Sequence, residues 1–102
     1  MEIYSGGNNL TDKPIFIDFY ATWWGPCKIF EQVLNKVTPD YENKISFYKV
    51  NIEDEPQMSS LFQVRGVPFM IMISNSGELS ANVGGMDETT LKYYLDGLIS
   101  KK

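Results

Sequence analysis

The sequence predicts an α/β fold, a central mixed β-sheet flanked by helices, in the order βαβαββα behind a short or irregular N-terminal lead-in. Three observations carry this expectation. Ile15 to Ala21 and Phe69 to Ile73 are nearly continuous apolar runs, as strands buried on both faces are. Two segments carry apolar residues at helical spacing, and each is set off from neighbouring strands by turn residues. Leu79, Ala81 and Val83 alternate with polar residues just after Asn75-Ser76-Gly77, the pattern of a hairpin.

The elements follow in order. Gly6-Gly7-Asn8-Asn9 is a turn-rich lead-in. Ile15-Phe16-Ile17-Asp18-Phe19-Tyr20-Ala21 is the first core strand, broken by Trp24-Gly25-Pro26. A helix follows with Phe30, Val33, Leu34 and Val37 on one face, and Pro26 suits its first position because an N–H there has no helical partner. Ile45 to Val50 is the second strand. Glu55-Pro56 opens a short helix carrying Met58, Leu61 and Phe62 and ending near Gly66. Phe69–Ile73 and the alternating segment after it form an antiparallel pair. Asp87 caps a last helix with the stripe Leu91, Tyr94, Leu95, Leu98 and Ile99. Strands joined through helices predict parallel pairing, and the hairpin adds an antiparallel edge.

The 102 residues suit a single domain spanning 1–102, with no repeat or linker. At 43% hydrophobic and 22% charged the composition is that of a globular protein. The net charge of −4, with no basic stripe beyond Lys101-Lys102, argues against a nucleic-acid partner. No apolar run approaches the roughly 20 residues of a membrane span. Met1-Glu2-Ile3-Tyr4-Ser5 does not read as a signal peptide, so the expected location is cytoplasmic, and a monomer is expected. There is no histidine and one cysteine. That inventory excludes a Cys-His pair, a Ser-His-Asp triad, an intramolecular disulfide and a usual zinc site; neither metal nor other cofactor is expected.

At Ala21-Thr22-Trp23-Trp24-Gly25-Pro26-Cys27-Lys28 the chain resembles the active-site signature of the thioredoxin family, which has cysteine where Trp24 stands here. Four further segments match in order: Ile17-Asp18-Phe19-Tyr20-Ala21, Lys49-Val50-Asn51-Ile52, Arg65-Gly66-Val67-Pro68 and Val83-Gly84-Gly85. The resemblance runs from about Ile15 to the C-terminus and implies the thioredoxin fold. It implies a thiol–disulfide oxidoreductase of cell redox homeostasis and electron transport, with disulfide-containing or extended-peptide protein partners and a thioredoxin reductase.

Thioredoxin chemistry needs two thiols: an exposed thiolate attacks a disulfide, and a second cysteine resolves the mixed disulfide. The resemblance places Trp24 at the attacking position and Cys27 at the resolving one. An indole is no thiol nucleophile, so the dithiol cycle is not expected here, nor reduction of this chain by the reductase. Cys27 reads either as a small buried hydrophobe, inert because apolar surroundings raise a thiol pKa, or as a reactive monothiol. Asp18 in an apolar strand is costly if charged, so it is either partnered, protonated or exposed by strand curvature. The resemblance makes it the buried acid serving Cys27, with Lys49 nearby and a raised pKa.

Pro68 reads as a trans proline opening a strand, whereas the resemblance makes it the cis-proline facing Cys27 and frees the Val67 backbone to pair with an extended peptide. Trp23, Gly25, Pro26, Gly66, Val67, Pro68 and Gly84 are the implied substrate-binding residues. Trp24 beside them either plugs the groove or adds to an exposed apolar binding patch. Two function classes follow: an oxidoreductase domain altered at its nucleophile, or a redox-independent peptide-binding or scaffolding module using the same groove. A monothiol enzyme resembling glutaredoxins is a third, disfavoured because those proteins keep the cysteine that Trp24 replaces.

Overall fold

In a computed structural model, which describes residues 2–3 and 13–100, the chain forms one five-stranded sheet with helices on both faces. The lead-in Gly6-Gly7-Asn8-Asn9 and the terminal Lys101-Lys102 lie outside the described residues. The elements are β1 (Glu2–Ile3), β2 (Ile15–Tyr20), α1 (Gly25–Val37), β3 (Ser46–Asn51), α2 (Pro56–Leu61), β4 (Phe69–Ile73), β5 (Leu79–Val83) and α3 (Glu88–Ser100). The strand order is β1-β3-β2-β4-β5.

The βαβαββα series is present, preceded by the two-residue β1, which pairs in parallel with β3. β2 and β3 are parallel, as their helical connection predicts, and β4 and β5 form the antiparallel hairpin. The second helical connection departs from expectation. β4 does not lie parallel beside β3; it lies antiparallel beside β2, with Phe69 opposite Phe19 and Ile73 opposite Ile15. The six residues of α2 span about 9 Å, under half of a strand of about 20 Å, and the helix covers the sheet without running back along it. The chain therefore re-enters the sheet at the end it left. That end gathers the close of β2, the start of α1 and the loop before β4.

Strand alternation divides the core between two layers. Phe16, Phe47, Met70 and Met72 meet Phe30, Leu34 and Val37 of α1 and Leu91, Leu95 and Leu98 of α3. Ile17, Phe19, Tyr48, Val50, Phe69 and Ile71 form the other layer, under Met58 and Phe62.

Several local expectations shift. α1 begins at Gly25, so Pro26 is its second residue. α2 ends at Leu61 rather than near Gly66: Gln63 takes a left-handed φ of 55°, and Val64 N–H donates to Ser59 O, closing the helix in a Schellman arrangement. Leu61 is exposed, and so is Tyr94, which leaves Leu91, Leu95 and Leu98 as the buried stripe of α3. Asp87 caps α3 as expected, its Oδ1 accepting from Thr90 N–H at 2.8 Å, which holds its carboxyl below the usual range. β5 alternates, yet Leu79, Ala81 and Val83 stay exposed, because β5 is the sheet edge beyond the reach of short α2.

Candidate functional site

The site is built at the end of the sheet where β2 gives way to α1. Asp18 belongs to the strand face turned toward α1, since it alternates in register with Phe16. It is 5% exposed, and its Oδ1 has no hydrogen-bond partner among the described residues. Burial pushes its carboxyl up to about 7, the charge of Glu31 adds to the rise, and Lys49 offsets part of it. Lys49 stands opposite Asp18 on β3, with its Nζ 5.7 Å from the ring centroid of Tyr20.

Cys27 enters α1 at its first turn, with its N–H and that of Lys28 donating to Trp24 O. It is the only cysteine, reduced and 4% exposed. Burial pushes its thiol up; a backbone hydrogen bond with Ala21 opposes this, and the charge of Asp18 adds to the rise. Asp18, Tyr20, Cys27, Lys28, Glu31 and Gln32, with Ala21 and Thr22, line a cavity of about 340 Å³. Trp24 is not part of that lining.

Trp24 points instead into a second cleft of about 350 Å³, lined by Trp23, Trp24, Ile52, Val64, Arg65, Gly66 and Val67. The two indoles meet edge to face, 5.8 Å apart at 70°, and are 62% and 43% exposed. Trp23 Nε1–H donates to Glu53 Oε1 at 2.9 Å. The Val67–Pro68 peptide bond is cis. Neither the N–H nor the C=O of Val67 is hydrogen-bonded within the described residues. Pro68 is buried, and its carbonyl accepts from Gly84 N–H at 2.8 Å.

The expected site residues thus separate into two neighbouring groups. Asp18, Cys27 and, through strand register, Lys49 form one; Trp23, Trp24, Gly66 and Val67 form the other. Gly25 and Pro26 lie exposed at the helix start, while Pro68 and Gly84 stand behind Val67, tied by their backbone bond. Sequence reasoning did not single out Glu31, Glu53, Ile52, Val64 or Arg65. Glu31 carried a signal, since it lies one helical turn beyond Cys27 on the same face. Ile52 and Arg65 stood inside segments that match the family but carried no sign of lining a cleft, and Val64, beside Arg65 in the loop after α2, carried none. Among the described residues no cluster of three or more metal-ligating side chains forms.

Comparison with known proteins agrees with this architecture. The family model described as Thioredoxin matches residues 7–97. A thioredoxin of Buchnera aphidicola subsp. Acyrthosiphon pisum is 35% identical over 88 residues, covering 85% of this chain and 82% of that protein. The crystal structure of Malassezia sympodialis thioredoxin superposes with a TM-score of 0.76 at 31% identity, covering 87% of this chain and 77% of that one. Chloroplastic thioredoxin z superposes at 0.80 with 20% identity over 88% and 81% of the two chains, a likeness of fold alone. With its mixed sheet, its α1 start beside Trp24 and this extent of similarity, the chain belongs to the thioredoxin family.

Proposed function

We propose that this protein is a thioredoxin-family domain that has lost dithiol exchange and uses the groove beside Trp24 as a redox-independent site for extended peptides. The observation that carries the reading is the contrast between Trp24 and Cys27. Trp24 occupies the position of the attacking thiol and opens to solvent beside Val67, whereas the one thiol is buried with a raised pKa. A dithiol cycle requires two sulfurs, and the chain has one. The unpaired N–H and C=O of Val67 supply what an extended peptide needs for strand-like pairing, and the indoles supply apolar contact.

The partners are therefore proteins presenting an extended segment. The reductase that serves the family does not reduce this chain. The family's thiol–disulfide oxidoreductase activity is tested by insulin reduction. The chain as it stands is expected to show no turnover above the uncatalysed rate, and Trp24→Cys is expected to gain it. Turnover by the unaltered chain comparable to Trp24→Cys overturns the reading. Peptide binding that persists in the presence of reductant supports the groove; binding abolished by reductant points to a mixed disulfide at Cys27 instead.

A further inference from the structure

Arg65 is the only arginine of a chain that carries thirteen acidic residues. It lies exposed on the rim of the Trp24 cleft and forms no ion pair or hydrogen bond among the described residues. Glu53, which lies outside the cleft lining, is already engaged by the indole N–H of Trp23. The cleft thus combines an apolar floor from Trp24, Ile52 and Val64, a free backbone donor and acceptor at Val67, and one uncommitted guanidinium.

We propose that the cleft selects extended peptides in which an apolar side chain stands next to an acidic one, the apolar group lying against the exposed indoles and the carboxylate pairing with Arg65. The inference rests on the peptide-binding reading above and adds the substrate class to it. The charge pattern of the cleft supports the choice. A planar guanidinium with free donors matches a carboxylate at two points, and its weak hydration favours use at a partly apolar surface. An alkylammonium in the same place would face Arg65 as a like charge. Glu53 sets a polarity, because a second carboxylate on the Trp23 side of the peptide would meet an anion. The volume of about 350 Å³ is at the lower end of the range for specific pockets and suits a side chain or two rather than a folded surface.

Both tryptophans of the chain line this cleft, so intrinsic fluorescence reports its occupancy directly. Three blocked hexapeptides with a central Leu, differing only in whether the neighbouring residue is Glu, Gln or Lys, are titrated against the full chain with reductant present throughout. The expected result is that the Glu peptide binds about three- to tenfold more tightly than the Gln peptide at low salt, and the Lys peptide more weakly than either. The preference is expected to shrink as salt is raised and to vanish in Arg65→Gln. Equal affinity for the Glu and Gln peptides, or a preference that survives Arg65→Gln, overturns the acidic specificity and leaves the groove standing. Failure of all three peptides to bind overturns the groove reading itself.

Discussion

Asp18 and Lys49 face each other across adjacent parallel strands, yet the buried carboxyl is held near 7 rather than stabilised as an anion. Lys49 forms no ion pair with it, and desolvation together with the charge of Glu31 outweighs its attraction. Asp18 and the one thiol of the chain, Cys27, line the same cavity.

The first prediction concerns pH. The native carboxyl of Asp18 takes up its proton near 7, the unfolded one near 3.8. Between these values the native state binds more protons, so this group's contribution to stability is present in full below the unfolded value and is lost as pH rises through 7. Asp18→Asn is expected to be more stable than the parent at pH 8, by about 1–4 kcal/mol, and the difference should shrink toward pH 4. Urea unfolding of both proteins across that range checks it; a difference that does not change with pH defeats it.

Cys27 should be slow to alkylate in the native state. Its burial and raised pKa leave little exposed thiolate at neutral pH. Mass-spectrometric rates with iodoacetamide are expected to rise about tenfold or more on unfolding in guanidinium, while Asp18→Asn should speed the native reaction by removing a neighbouring negative charge. Equal native and unfolded rates would contradict this.

Three glycines separate three physical causes. Gly84 sits at φ 91°, so Gly84→Ala is expected to cost about 1–2 kcal/mol through backbone strain although nothing crowds the new methyl. At Gly85, exposed itself, the methyl would meet Cβ of the buried Phe30 at 3.2 Å, and a cost of about 1–3 kcal/mol is expected because the core side chain must shift. Gly97 lies inside α3 with open space around it, so Gly97→Ala should stabilise by about 0.5–1 kcal/mol. Thermal unfolding of the three variants reads all of these, and a common sign would refute the assignment of causes.

Tyr41 donates to Asp96 of α3 at 2.8 Å, joining the segment after α1 to the last helix. Burial, the hydrogen bond and nearby carboxylates push its hydroxyl up to about 12. Tyr41→Phe is expected to cost about 0.5–1.5 kcal/mol at neutral pH. The raised native value means that this contribution is present below pH 10 and fades as pH approaches 12. Denaturant midpoints for parent and Tyr41→Phe at pH 7 and pH 11 should converge at the higher pH.

The sequence by itself determined the order of elements, the two double-sided strands β2 and β4, the cap at Asp87, and the chemical inventory of one thiol and no histidine. These are local or compositional properties: periodicity marks a buried face, and counting residues gives one thiol without reference to shape. Periodicity marks no partner, and there the tertiary structure decided. It set β4 antiparallel beside β2, with Phe69 opposite Phe19, a choice of neighbour that no local pattern encodes. It left Leu79, Val83 and Tyr94 uncovered, although their spacing matches that of buried residues. It also parted the expected site in two, giving Asp18 and Cys27 one cavity and turning Trp24 toward Ile52, Val64 and Arg65 in another. Ile52 follows β3 and the adjacent Val64 and Arg65 follow α2, and only the packing of these two segments at one end of the sheet brings them to the indoles.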